Sequence, residues 1–304
     1  MKTTKFSFSI AVLVLSMAVA ITSCRKKDNP APEDSDTSGA SDNSLAERTA
    51  DDVTNMAAEA SEDGGLSSYK YGDDNIFTAC ATVVKDTTLK TITVTFNGTQ
   101  CLDGHTRSGV ITFDYSGSTN GAKYYRNPGF KCVVSSSSYV VDGNAVSISK
   151  TIMNTTAVGF NPATTNLTWS VNSSVSIVKS NGTLSWTSTK NKTLLNTSDT
   201  NVYHGQAIHI SWHLARVGIT GNASGTSANG DSFTANVTSQ LVRDFTCSPN
   251  SAHPGHHPFI DGKMDFTPGS KATRYFDFGY PNGGQCDDLA TVTINGKPHV
   301  ITLP

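Results

Sequence analysis

From Tyr69 onward the chain alternates apolar and polar residues with a period of two, a pattern that suits a strand with one wet face and no helix. Ile92, Val94 and Phe96 oppose Thr91, Thr93 and Thr95, and Ile208, Ile210, Trp212 and Leu214 oppose Ala207, His209, Ser211 and His213. Similar runs cover Val110 to Tyr115, Val146 to Ile152, Leu167 to Val171, Val175 to Val178, Thr183 to Ser188, Phe233 to Val242, Lys271 to Phe278 and Thr291 to Leu303. Asn97-Gly98, Asp142-Gly143, Asn181-Gly182 and Asn295-Gly296 supply the turns between them. Roughly a dozen strands at this spacing predict an all-β, antiparallel meander forming a sandwich, a barrel or one strongly curved sheet, with one short N-terminal helix. Ser, Thr and Asn make up about a third of the chain, which favours exposed strand faces and turns. A formal net charge of −2, with Lys and Arg scattered, gives no footprint for nucleic acid.

The N-terminus reads as an address. Lys2 and Lys5 precede an apolar stretch from Phe6 to Ile21, followed by Thr22, Ser23 and Cys24, the order of a secretory signal over residues 1–23. The Ile21-Thr22-Ser23-Cys24 ending resembles a bacterial lipobox, which implies cleavage before Cys24, acylation of its thiol and a membrane partner through that lipid anchor. A non-lipidated signal cut near Ala20 is the plainer alternative. Residues 24–43 have the Pro, Asp, Ser and Gly content of a disordered tether, and Arg25 is compatible with delivery to the outer membrane. Ser44 and Glu47 form a capping box for a helix over 44–62, on which Leu45, Val53, Met56, Ala57 and Ala60 share a small apolar face that predicts weak docking. Gly64-Gly65 end it, and 66–304 form the β-rich domain.

Within that domain Asn97-Gly98-Thr99-Gln100-Cys101-Leu102-Asp103 matches Asn282-Gly283-Gly284-Gln285-Cys286-Asp287-Asp288 at most positions. Each copy has one cysteine upstream of it, after an aromatic-Thr strand end, so the repeat pairs Cys80 with Cys101 and Cys247 with Cys286; an exported protein can form both bonds. Cys132 is then either a buried free thiol or a third partner that changes the pairing.

The run Arg274-Tyr275-Phe276-Asp277-Phe278-Gly279, with Gln285-Cys286-Asp287-Asp288-Leu289 continuing to Asn295-Gly296, resembles the ending of uncharacterised lipoproteins abundant in Bacteroidetes. Asp103-Gly104-His105-Thr106-Arg107-Ser108-Gly109-Val110-Ile111 and Gly221-Asn222-Ala223-Ser224-Gly225-Thr226 extend the resemblance over most of the chain after Phe77. It implies an envelope lipoprotein with a β-rich fold and no catalytic activity.

His253, His256 and His257 share a short Pro-punctuated loop and are the metal candidates, against a plain polar surface loop. His209 and His213, four residues apart on a predicted strand, lie ~13 Å apart and need a neighbouring strand to complete a site. Asp103, Asp287 and Asp288, with Asn97 or Asn282, offer oxygens to Ca²⁺ or simply cap their turns. Trp169, Trp186 and Trp212 fit sugar platforms or, more simply, core. Asp86-Thr87-Thr88 resembles a bacterial O-glycosylation triplet. No nucleophile elbow, phosphate loop or dinucleotide fingerprint occurs. The expectation is therefore a non-catalytic, disulfide-braced envelope lipoprotein with no cofactor; the alternatives are a carrier of an apolar ligand in a concave sheet, or a glycan-binding or glycan-hydrolysing surface protein. Cys24→Ser should abolish fatty-acid labelling and move the protein from the detergent phase to the soluble fraction; equal labelling of the variant would refute lipidation.

Overall fold

The computed structural model describes residues 38–63, 80–101, 104–247, 259–279, 285–287 and 289–302. A helix, α1 (Ser38–Asp63), precedes thirteen strands: β1 (Ala81–Asp86), β2 (Thr91–Gln100), β3 (Thr106–Asp114), β4 (Lys131–Val141), β5 (Asn144–Asn154), β6 (Thr168–Lys179), β7 (Gly182–Leu194), β8 (Arg216–Thr226), β9 (Ser232–Asp244), β10 (Phe259–Pro268), β11 (Arg274–Asp277), β12 (Leu289–Ile294) and β13 (Lys297–Thr302). Their spatial order is their sequence order, so they form one antiparallel meander with β1 and β13 as its edges.

Contacts with α1 show that this sheet is curved. The three consecutive residues Ala50, Asp51 and Asp52 span about 3 Å of helix. They are reached by Lys150 from β5, Lys192 from β7, Arg243 from β9 and Arg107 from β3. From β3 to β9 is six strand spacings, ~29 Å along a sheet. Side chains so widely separated in the sheet meet one turn of helix only if the sheet wraps around it, forming a trough with α1 inside. β-bulges supply the bend. Register slips between Ser108 and Val110 where β3 meets β4, and Gly109 there has φ +91° with the Ser138 carbonyl 2.1 Å from where a Cβ would stand. Gly262, at φ +106° against the Gln240 carbonyl, marks another slip between β9 and β10. Only glycine fits either place.

The inner face carries the core, with Val94, Ile111, Phe113, Val134, Ile152, Trp169, Leu184 and Phe266 fully or nearly buried. Beneath α1 it turns small: Ser173, Ser188, Ala223 and Ala235 lie in register on β6 to β9. Ala46, Ala50, Val53 and Ala57 of the helix are buried as well, so two small-residue surfaces allow a close approach. The outer face is different. Thr93, Thr112, Ser135, Ser149, Ser174, Thr187, Ser224, Thr234 and Thr267 are Cα partners in succession from β2 to β10, an unbroken row of hydroxyls.

Three expectations change. The helix begins at Ser38 rather than at 44, inside the segment read as tether, so Ser44 and Glu47 are not a cap but lie within it. The alternation at Ile208 to Leu214 makes no strand. Tyr203 and Ile210 form an isolated bridge, and Trp212–Leu214 is a 3-10 turn. Ile210 and Trp212 satisfy their hydrophobicity by burial at the end of the trough, Trp212 against Tyr125 and Trp169, while Ile208 stays exposed at the turn. Leu167 to Val171 and Val175 to Val178, read as two runs, join in the single strand β6.

Both disulfides form as the repeat pairs them, Cys80–Cys101 and Cys247–Cys286, and Cys132 is a buried free thiol. With sequence separations of 21 and 39, each should contribute about 3–4 kcal/mol by restricting the unfolded chain. Replacing both cysteines of either pair with Ser should lower Tm by roughly 6–12 °C in a scanning calorimeter, and a change under 2 °C would mean that the bond closes a loop already ordered without it.

Candidate functional site

The strongest concentration of charge lies inside the trough, along the seam between α1 and the sheet. Asp42 pairs with Lys179 and accepts the Ala228 amide; Glu47 pairs with Lys190 at 3.1 Å. Asp51 is shared by Lys192 at 2.7 Å and Arg243 at 3.3 Å, and Asp52 holds Arg107 at 2.8 Å. Asn43 accepts the Trp186 indole N–H at 2.9 Å. Lys150 donates to the backbone carbonyl of Ala50, a group also reached by the Thr54 hydroxyl. The helix face that looked weak therefore docks through charge, and that is where the expectation of loose packing fails.

Electrostatics follow from burial. Desolvation works against the Asp51 carboxylate, but the charges of Lys192, Arg243 and Lys150 outweigh it and hold its pKa well below the carboxylate range. Lys150 behaves oppositely. Its burial, aided by the charge of Lys192, pulls its pKa down to about 7, and Asp51, Glu47 and Asp52 oppose this only in part. Two cavities flank the seam, of about 10 Å³ beside Lys150 and Ser188 and about 30 Å³ between Thr54, Trp169, Trp212 and Arg243. Each is water-sized. The concave face along α1 is thus filled by the chain's own helix.

One signal could have found this seam. Lys150 falls in phase with Val146, Ile148 and Ile152, and Lys190 with Leu184 and Trp186, so each occupies a core position in the alternation. A lysine in phase with buried residues requires an acceptor inside the fold, and the helix supplies the Glu47 carboxylate for Lys190 and the Ala50 carbonyl for Lys150.

The other candidates separate clearly. Trp169 and Trp186 are core residues with bonded indoles, Trp169 to the Tyr125 carbonyl at 2.9 Å, and Trp212 is buried beside them. None presents a face to a glycan. Asn97 caps Thr99, Asp287 caps Leu289 and Asp86 caps Thr88 and Leu89, the plain turn role. Burial, with the Asp114 charge adding, pushes the Cys132 thiol up to about 12 and makes it a poor nucleophile. His209 lies in the connection between β7 and β8 rather than on a strand. Cys24, His253, His256, His257, Asp103, Asn282 and Asp288 lie outside the described residues. Among the described residues no group of three or more His, Cys, Asp or Glu side chains gathers as for a metal, and no helix is long and apolar enough to cross a membrane. No protein-family model, curated protein or solved structure matches the chain.

Two substitutions in the seam should move stability in opposite directions. Asp51→Asn leaves Lys192 and Arg243 without a counter-charge and should cost about 3–5 kcal/mol. Because the folded carboxyl has the lower pKa, this contribution is fully present above the unfolded value of ~4 and is lost as pH falls below it. Lys150→Met should stabilise the fold near neutrality, since it removes a buried ammonium whose desolvation outweighs its attractions and the Thr54 hydroxyl still reaches the Ala50 carbonyl. The unfolded lysine holds its proton up to ~10.4 and the folded one releases it near 7, so wild-type stability rises across that interval and the advantage of the variant shrinks. Urea denaturation from pH 3 to pH 10 measures both; a destabilised Lys150→Met protein would show that the buried charge is needed.

Proposed function

We propose that the protein is an exported, lipid-anchored envelope protein of the outer membrane whose disulfide-braced β domain is non-catalytic and has a structural or ligand-binding role. The observation that carries this reading is the position of α1. It is the first element among the described residues, and the sheet is built around it, so a lipid on Cys24 would join the membrane to the centre of the domain rather than to a loose end. Residues 25–37 can reach at most ~45 Å, which keeps the domain close to the bilayer. A non-catalytic role is supported by the engagement of Asp42, Glu47, Asp51 and Asp52 in docking the helix. The resemblance to Bacteroidetes lipoproteins points the same way.

A second reading, a glycan-binding surface, is favoured by the hydroxyl row on the outer face. Each Ser or Thr offers a donor and an acceptor, and the outward positions of β5, β6 and β7 include no charge: Ser147, Ser149 and Thr151; Ser170, Asn172, Ser174 and Ser176; Ser185, Thr187, Thr189 and Asn191. Such a face is complementary to a neutral polyol and takes the place of the tryptophan platforms, which are buried.

Sucrose-gradient fractionation should place the wild-type protein with outer membranes, and deletion of 25–37 should leave the β domain folded while deletion of 38–63 destroys it. A protease-resistant β domain lacking 38–63 would remove the proposed coupling. Sedimentation with insoluble neutral polysaccharides tests the second reading: binding lost in Ser174→Lys/Thr187→Lys supports it, and no binding by the wild-type protein ends it.

A further inference from the structure

We propose that His204 and His209 form a binding site for a divalent transition-metal ion, Cu²⁺ or Zn²⁺, held through their two Nε2 atoms in the connection between β7 and β8.

The site is built on a small hairpin. Tyr203 and Ile210 pair across it, the His204 amide donates to the His209 carbonyl at 3.1 Å, and the Ile208 amide closes the turn onto Gly205 at 3.2 Å. His204 and His209 are therefore cross-strand neighbours, a relation that brings two side chains together on one face. Their rings stack with centroids 4.3 Å apart. Both Nε2 atoms converge on one hydroxyl, His204 at 3.0 Å and His209 at 3.4 Å from the Ser211 Oγ.

That convergence has a chemical consequence. Ser211 carries a single hydroxyl proton and can donate it to only one of the two nitrogens, so the other Nε2 must be the donor. That trio is satisfied with one imidazole protonated at Nε2, and a cation can displace this proton and take both nitrogen lone pairs, each at ~2.0–2.1 Å, with the Ser211 oxygen or water filling a further position. Imidazole nitrogens suit Cu²⁺ and Zn²⁺, with Cu²⁺ the tighter. Ligand placement is supported from behind. Arg126 Nε and Asn127 Nδ2 both donate to the Gln206 carbonyl at the hairpin tip, at 2.9 and 3.1 Å, and the Ser211 amide is held by the Val202 carbonyl at 2.8 Å. Pre-ordering of this kind lowers the cost of collecting two ligands.

The site is distinct from the His253, His256 and His257 loop, and the test separates them. Full-length protein purified without a polyhistidine tag is titrated with Cu²⁺ alone, followed by calorimetry and by electron paramagnetic resonance. One Cu²⁺ per chain with nitrogen superhyperfine structure is expected. His209→Ala, at an exposed position, should keep the wild-type Tm and weaken binding at least ~10-fold, because even groups outside the ligand shell contribute about 10–100-fold. His204→Ala should do the same, and the triple His253→Ala/His256→Ala/His257→Ala variant should bind like wild type. Binding that survives His209→Ala, that disappears in the triple variant, or that is absent from the wild-type protein would each overturn the site.

Discussion

The ion-paired seam between α1 and the inside of the sheet is the constraint on which the rest of the structure depends. Arg107, Lys150, Lys179, Lys190, Lys192 and Arg243 come from five strands, and Asp42, Glu47, Asp51 and Asp52 from one helix. Desolvating these groups is costly, so the seam is a weak source of stability and a strong source of specificity. Ala46, Ala50 and Ala57 alone would let the helix slide or rotate at little cost. Charges at fixed heights admit one register, because any other leaves Arg107, Lys190 or Lys192 buried without its carboxylate.

Over β5 to β7 the charges turn inward and the sheet meets water mainly through hydroxyls and amides, whereas β10 and β11 expose the Lys263–Asp277 ion pair. This inversion matters for an open meander, whose edges are templates for further strands. The last edge strand, β13, is short, begins Lys297-Pro298 and is largely exposed; a proline and a lysine there discourage addition of another strand. The first, β1, ends in Lys85 and Asp86. Between these edges the outer rows of Ser and Thr gain modest cross-strand contacts, such as Thr187 with Ser224 at 3.3 Å.

How much of this could be read from the sequence depended on whether a residue's role was local. Alternation located β2, β3, β5 and β9, and Asn295-Gly296 fixed the turn between β12 and β13, because period and turn chemistry act over a few residues. β8 and β10 were harder to see: Gly218, Gly221 and Gly225 in the first, and Gly262 and Pro268 in the second, make a strand look like a loop. Gly221, Gly225 and Gly262 allow close backbone approach, with the Thr189 carbonyl 2.1 Å from a virtual Cβ at Gly221, and Gly218 makes room for the Gln240 side chain, which are tertiary facts. The disulfide pairs were legible through the repeated turn. The seam was not, since pairing Asp51 with Lys192 and Arg243 joins residues more than a hundred positions apart. The convergence of His204 with His209 hid behind a run that read as one continuous strand.

The two disulfides stand where the helix gives least support. α1 packs mainly on β6 and β7, with β5, β9 and β10 beside them. Strands outside that span have fewer ways of being held, because a meander without closure ties each strand only to its neighbours. Cys80–Cys101 joins the start of β1 to the end of β2 at one flank, and Cys247–Cys286 ties the end of β9 to the connection between β11 and β12 at the other. A closed barrel shares the cost of fraying around a ring; an open trough must stop it at both margins. Covalent staples at the flanks and a charged plug at the centre divide that task, which accounts for a long single sheet remaining curved without its edges meeting.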